Sequence, residues 1–316
     1  MSVAELNRKY FDAISDSYDT KPWFATVNTQ VADELRGRLD WIGIPFANTG
    51  FNTDASEVRL LDYACGTGVM TRTFGPYVTK TLGVDISPNM VATYNSRAST
   101  AGLSKEMVNA VVGDLFEKSN PMPEELNGKQ WWDFDLAVVG FGFHHFEDVV
   151  YAAKQLKERL RPGGALVIND FLEGGDLLAD EDGNPVEGSR GNHAIHKHDH
   201  GRGHNGHGHK HEHSDEKAHN GHTRNHAHEH EHKHDNRNGD FTNPSPELRK
   251  KMADSIVVPH FTIDGVKEIF TTAGFVDVDV VTLKERSYME FSGKKLWRTI
   301  LIAKGRRPES GAKSEL

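Results

Sequence analysis

Three regimes of hydrophobic patterning follow one another along the chain. Across residues 2–39 apolar side chains recur at helical spacing. Tyr10, Phe11, Ile14 and Tyr18 form one stripe, and Val27, Val31 and Leu35 continue it after Pro22. A loop rich in Asn, Thr and Gly at 45–56 then leads into short apolar runs separated by helix-like stretches. Strands are predicted at 58–63, 81–84, 110–112, 134–139 and 165–169. Helices are predicted at 69–74, 88–101 and 149–160. The second has Ser87 as N-cap and Pro88 at its first position, and Arg161-Pro162-Gly163-Gly164 stops the third. Strands alternating with helices predict an α/β fold, with a parallel sheet covered on both faces.

The third regime begins near residue 174, where apolar content collapses until residue 240. Of 19 histidines, all but His144, His145 and His260 fall between His193 and His234. Such a segment buries too little surface to offset its ordering entropy, so a disordered insertion is expected. Pattern returns afterwards. Helices are predicted at 246–254 and 263–273, the latter closed by Gly274. Strands at 276–283 and 297–303 are expected to pair antiparallel at one sheet edge.

Composition mainly excludes. A chain of 316 residues can bury one large core or two small ones. Its net charge of −9 argues against a nucleic-acid footprint. The single cysteine, Cys65, rules out an internal disulfide and suits a reducing compartment. No apolar run approaches the ~20 residues that span a bilayer, and residues 1–9 lack the apolar stretch of a secretory signal. A cytoplasmic protein without a membrane partner is expected; cytosol and nucleus are not separated.

The densest chemistry lies at strand ends. Asp62, Asp85, Asp114, Gly140 and Asp170 fall at or near the carboxyl ends of predicted strands, where ligands bind in such sheets. Asp62-Tyr63-Ala64-Cys65-Gly66-Thr67-Gly68 joins the first strand to a helix through a glycine loop, which lets backbone approach a nucleotide-like ligand closely. Two ligands compete for it. A dinucleotide loop wants a third glycine three residues after the second, but that position is Thr71, and Asp62 would repel a pyrophosphate. S-adenosylmethionine carries an ammonium, a carboxylate, a ribose and an adenine, and no phosphate. For that ligand Asp85 can accept both ribose hydroxyls and Asp114 the adenine amino group, with Ile86 and Leu115 sandwiching the adenine.

These motifs resemble those of class I S-adenosylmethionine-dependent methyltransferases of the type 11/12, UbiE-like kind. The resemblance rests on Leu61-Asp62-Tyr63-Ala64-Cys65-Gly66-Thr67-Gly68, Gly83-Val84-Asp85-Ile86-Ser87-Pro88-Asn89-Met90 and Val112-Gly113-Asp114-Leu115. Phe134-Asp135-Leu136 through His144-His145-Phe146-Glu147-Asp148, then Leu160-Arg161-Pro162-Gly163-Gly164, complete it. It implies a Rossmann-like, doubly wound, seven-stranded sheet, mostly parallel with an antiparallel C-terminal edge strand. It divides the chain into a helical lid (1–57), a cofactor-binding core (58–173), the His-rich insertion (174–240), the rest of the domain (241–304) and a flexible tail (305–316).

By the same resemblance Gly66 and Gly68 pass beneath the methionine part, with Asp62 near its ammonium and Ala64 and Thr67 in the same cofactor loop. Asp85, Ile86, Ser87 and Met90 belong to the ribose segment, and Asp114 and Leu115 to the adenine. Gly140 and Phe141 line the sulfonium side, and Tyr18 belongs to the lid. Tyr63 stands where the family more often has a small residue, which leaves its role open. His144 and His145 are the catalytic candidates, as base or as positioning groups. Trp23, Phe24 and His260 are candidates for the acceptor side.

No resident metal is expected, because the histidine run lacks the few fixed ligands of a structural or catalytic site. It can bind several divalent ions weakly. The expected activity is in-line transfer of a methyl group to a small molecule. A regulatory or scaffold protein on the same fold, with the histidine run as its binding part, and a protein methyltransferase stay open.

Overall fold

Ser2 accepts from Glu5 N and so caps α1 (Val3–Ile14). Pro22, which has no N–H to lose at a helix start, opens α2 (Pro22–Arg36). The short α3 (Leu39–Ile42) stops on Gly43 in the left-handed region. The single helical stripe of the sequence is therefore three helices. The computed structural model describes residues 2–49, 57–193, 246–291 and 293–309. Next come β1 (Arg59–Tyr63), α4 (Val69–Phe74), β2 (Lys80–Asp85), α5 (Pro88–Thr100), β3 (Val108–Val112), β4 (Phe134–Gly140), α6 (Val149–Arg159) and β5 (Leu160–Phe171). They are followed by β6 (Leu177–Leu178), α7 (Pro246–Ser255), α8 (Ile263–Thr272), β7 (Val276–Thr282), β8 (Ser287–Phe291), β9 (Lys294–Arg298) and β10 (Ile300–Arg306).

Seven strands form one sheet in the order β3-β2-β1-β4-β5-β10-β7. The first five run parallel, and β10 is antiparallel to both its neighbours. The expected doubly wound α/β class is present, with an antiparallel pair at one edge. Within that pair the C-terminal strand inserts between β5 and β7, leaving β7 outermost.

Adjacent strand residues serve opposite faces. Leu60, Leu136, Val138 and Val167 pack with Val27, Val31 and Leu35 of α2 and Met70 and Phe74 of α4. Leu61, Ala137, Val139, Leu166 and Ile168 pack the other face with Leu156 of α6 and Phe270 of α8. Two covered faces explain why these strands read as continuous apolar runs.

Three expectations are corrected. The run 297–303 is not one strand: it breaks at Thr299, so that β9 joins a second, three-stranded sheet ordered β6-β9-β8 while β10 stays in the large one. The break falls at the polar pair Arg298-Thr299, where Thr299 Oγ1 donates to Gly175 O. Residues 174–193, assigned to the disordered insertion, are also ordered. Asp176 pairs with Gly191, Leu177 with Trp297, and Trp297 Nε1 donates to Gly183 O at 2.9 Å. Hydrogen bonds from a distant strand hold a segment that has little apolar surface of its own. Likewise Gly305 and Arg306 remain in β10 and Arg307 N donates to Gly164 O, so the start of the expected tail is tied to the core. The remainder of the histidine run (194–245) and residues 310–316 lie outside the described residues. Among those described, no helix is long and apolar enough to cross a membrane.

Candidate active site

Strand order reverses between β1 and β4, and a cleft of about 440 Å³ lies at their carboxyl ends. Asp62 lies on the Leu60 side of β1, so its carboxylate continues the α2-facing surface into that cleft. The residue is 1% exposed. Its Oδ2 accepts from Thr71 N at 3.0 Å and Thr71 Oγ1 at 2.7 Å, and Thr71 Oγ1 in turn lies 2.7 Å from Tyr94 OH. Oδ1 has no partner. Burial pushes the carboxyl up to about 7, against the Thr71 hydrogen bonds that favour its charge. A buried carboxylate with one open oxygen requires a cation or a donor to complete it. Thr71, standing where a dinucleotide loop would have glycine, is the residue that holds this acid in place.

The backbone around Asp62 is shaped for close approach. Gly68, the N-cap of α4, has φ +88, and a Cβ there would meet the Tyr94 ring at 3.0 Å. Across the cleft a Cβ on Gly140 would lie 2.7 Å from Met70 Cγ. Ala64 (φ 54) and Phe141 (φ 50) are non-glycine residues in the left-handed region, and both line the cleft. Such strain persists only where surrounding structure dictates it.

At the ends of β2 and β3 the acids are engaged. Asp85 Oδ2 accepts from Gly66 N at 2.8 Å and Oδ1 from Ser87 N at 2.9 Å, and burial pushes its carboxyl up to about 6. The carboxylate thus ties the glycine loop to the next strand. Asp114, also raised by burial, accepts from Phe116 N at 2.8 Å and from Tyr63 OH at 3.2 Å. Tyr63 OH accepts from Leu115 N at 2.9 Å. That resolves the open question at Tyr63: its hydroxyl fixes the Asp114–Leu115 turn, and its ring packs on Phe116 at 4.5 Å.

The N-terminal helices cover the cleft and are latched to it. Tyr18, Phe24, Asn28 and Val31 line it from above. Asp12 Oδ1 accepts from Ser87 Oγ at 2.6 Å, and Asp19 accepts from Thr67 Oγ1 at 2.9 Å while pairing with Arg97. The Arg97 guanidinium holds Asp19 below the usual carboxylate range.

Beyond β4, His144 is 6% exposed and its Nδ1 lies 2.9 Å from Asp170 Oδ1. The carboxylate fixes the Nδ1–H tautomer and leaves Nε2 as the acceptor nitrogen. His145 donates from Nδ1 to Ser255 O at 2.8 Å, and burial, then the neighbouring His144, hold it well below its ordinary value. His260 lies 3.2 Å from Asp176 Oδ2. Arg298 Nε reaches Asp176 Oδ1 at 3.0 Å, with its guanidinium 3.5 Å from the centre of the Phe171 ring. Burial pushes Asp176 up, but the His260 hydrogen bond and the Arg298 charge outweigh it and hold the carboxyl low.

The cleft therefore gathers Tyr18, Phe24, Asp62, Ala64, Gly66 and Thr67, with Gly140 and Phe141 opposite. The other candidates lie outside its lining. Gly68 caps α4, Asp85 and Asp114 sit at the neighbouring strand ends, and Ile86 is half-buried beside Asp85. Leu115 is buried in the core with Tyr63 and Leu126. Ser87 caps α5, and Met90 packs on Tyr10 and Ile14 of α1. Trp23 packs against the core beneath α2. His144, His145 and His260 are bound into hydrogen bonds behind the cleft wall. Sequence reasoning missed Asn28, Cys65, Val69, Met70 and Asn169 as lining residues. Only Asn169 carried a signal, as a polar residue ending an apolar strand. Among the described residues no group of three His, Cys, Asp or Glu is placed to hold a metal ion.

Residues 61–168 match the family model described as a methyltransferase domain. Over this segment the chain is similar to class I, type 11 methyltransferases. An uncharacterised methyltransferase of Schizosaccharomyces pombe is 31% identical over 123 residues, 39% of this chain and 42% of that one. A demethylmenaquinone methyltransferase of Staphylococcus aureus is 32% identical over 113 residues, 34% of this chain and 41% of its own. The chain spans less than half the length of these curated relatives. Among solved structures, the 4+2 cyclase SpnF superposes with a TM-score of 0.54 at 14% identity over 98% of both chains. That likeness concerns the fold alone. The domain match ends at Ile168, before the second sheet and the residues around His260.

Proposed function

We propose that the chain is an S-adenosylmethionine-dependent methyltransferase acting on a small-molecule acceptor. The observation that carries this reading is the open oxygen of Asp62, buried beneath a glycine loop at the point where strand order reverses. It suits an ammonium and repels a phosphate. In this reading Asp62 takes the cofactor's ammonium, Asp85 the ribose hydroxyls and Asp114 the adenine amino group. Gly66 and Thr67 lie beneath the methionine part, and Gly140, against which Met70 packs, lies on the sulfonium side.

Bound S-adenosylmethionine supplies a methyl group already activated on a sulfonium. What the protein adds is placement and exclusion of water. Tyr18 and Phe24, ring centroids 4.9 Å apart, cover the cleft from the latched N-terminal helices. Phe141 stacks on Phe171 at 5.1 Å and offers aromatic surface on the acceptor side. His144, held by Asp170 behind the cleft wall, suits a positioning role beside Phe171. The chain names no acceptor, and a scaffold role for the histidine run remains a separate question.

Calorimetry with S-adenosylhomocysteine tests the reading. Saturable binding is expected in the wild type, with a loss of at least a hundredfold in Asp85→Ala. A wild type that binds neither S-adenosylhomocysteine nor S-adenosylmethionine ends it. Deleting residues 196–238, clear of the ordered Gly191–Asp176 pairing, is expected to leave that binding intact. A screen for S-adenosylhomocysteine release over metabolite fractions then identifies the acceptor.

A further inference from the structure

We propose that Asn169 faces the methyl group to be transferred and positions an oxygen or nitrogen nucleophile of the acceptor. The inference rests on the cofactor reading above. Asn169 is 0% exposed, lines the cleft, and has no hydrogen-bond partner at either Nδ2 or Oδ1. Leaving a buried amide unpaired costs on the order of 1–3 kcal/mol. Nothing in the packing requires that cost, since Val167, two residues earlier on the same face, is apolar. A ligand completes the amide.

Sheet register says which part of the ligand. Asp62 lies opposite Val138, Val138 opposite Val167, and Gly140 opposite Asn169. Asn169 is thus two strands across from Asp62 and one side-chain row nearer the strand ends. With strands ~4.8 Å apart and a rise of ~3.3 Å per residue, the two Cα atoms are about 12 Å apart. An ammonium bound at Asp62 is therefore out of Asn169's reach. From that ammonium the methionine chain covers roughly 5 Å to sulfur at ordinary bond lengths. The methyl and the attacking atom, about 3 Å beyond it, fill most of the rest. The path passes Gly140, where the missing side chain lets Met70 Cγ approach to 2.7 Å and Asn169 Oδ1 to 3.5 Å of the Cβ position.

An amide offers one acceptor oxygen and two N–H donors, and it does not take up a proton. Oδ1 accepts from the O–H or N–H of the nucleophile and turns its lone pair toward the methyl carbon. Nδ2 donates to a neighbouring oxygen of the same acceptor. The nucleophile's lone pair forms the new bond to carbon while the S–C bond breaks. Sulfur keeps that electron pair and becomes neutral, and the nucleophile's proton leaves to water. A thiol or a bare carbon nucleophile gains little from such a partner, so the acceptor class is a hydroxyl, enol or amine compound.

The test uses two cofactor analogues that share the adenosine and amino-acid ends and differ at the centre, a thioether sulfur in one and an amine-bearing carbon in the other. At the methyl position S-adenosylhomocysteine has nothing; sinefungin has an amine. Asn169→Leu is expected to weaken sinefungin at least fivefold while S-adenosylhomocysteine changes less than twofold. Asn169→Asp is expected to keep or tighten sinefungin, since a carboxylate also accepts from the amine. Equal weakening of both analogues by Asn169→Leu means that the side chain serves their shared part or the fold, and overturns the assignment. No change in either overturns it too. A wild type that binds neither analogue refutes the cofactor reading itself. With a labelled methyl donor, kcat/KM for hydroxyl or amine acceptors is expected to fall at least tenfold in Asn169→Leu. Turnover of thiol acceptors alone would contradict the acceptor class.

Discussion

At the carboxyl ends of β1, β2 and β3 the acids are held mostly by near neighbours. Asp62 bonds Thr71, Asp85 bonds Ser87 and Gly66, and Asp114 bonds Phe116. Beyond β5 the partners come from far along the chain. Asp176 is bound by His260 and Arg298, and the carbonyl of His144 accepts from Val257 N at 2.9 Å. The first region is written in short motifs and leaves one carboxylate oxygen open toward the cleft. The second is an assembly of three distant segments whose charges are mostly spent on each other. The difference separates strand ends that lie within the methyltransferase-domain match, residues 61–168, from segments that lie beyond it.

The largest effect expected is at the distant assembly. Arg298→Ala leaves the buried Asp176 charge with only His260 and the His193 N–H opposite, and is expected to cost about 3–5 kcal/mol in urea unfolding. Unfolding at the wild-type midpoint would mean that the second region does not depend on this pair.

Next comes a pH dependence that belongs to the first region. Asp62 at about 7 and Asp85 at about 6 are both held above the ordinary carboxylate range by burial. Their protonated forms are favoured by folding, so their contribution is complete below the ordinary carboxylate pKa. It is lost as pH rises through 6 to 7, by roughly 2–4 kcal/mol for the ligand-free protein. Asp62→Asn should flatten that slope, and affinity for an ammonium ligand should rise over the same window. A wild type whose stability does not fall between pH 4 and 7 would place these acids in a wetter site.

Tyr63→Phe tests whether the adenine end is held locally. It strips Leu115 N and Asp114 Oδ1 of a buried partner and is expected to cost about 1–3 kcal/mol, measured by thermal unfolding. Affinity for S-adenosylhomocysteine is expected to fall with it. The smallest effect belongs to the latch. Thr67→Val removes the hydrogen bond to Asp19 and is expected to cost about 1 kcal/mol, read in the same melts.

Much of the first region was legible because its causes are local. Ser87 caps its helix, Gly68 takes the left-handed turn, and Asp62 follows an apolar strand. The packing of Leu115 with Tyr63 and Leu126 was not legible, because a motif position does not say which face a side chain takes. The second region was illegible for a different reason. Residues 174–193 have little apolar content of their own, and Leu177, Gly183 and Asp176 are ordered by Trp297 and Arg298. No window of sequence contains both partners. Asn169 was overlooked for the same cause: its significance lies in lacking a partner, which only packing reveals.

The central claim is that Asp62 is kept open for the amino-acid end of the cofactor. Titrating wild type and Asp62→Asn with S-adenosylhomocysteine and with 5′-methylthioadenosine, which lacks that end, tests it most directly. The wild type should bind S-adenosylhomocysteine at least tenfold more tightly, and Asp62→Asn should bind the two within about twofold of each other. A wild type that does not discriminate between them, or a variant that discriminates as well as the wild type, would contradict the account.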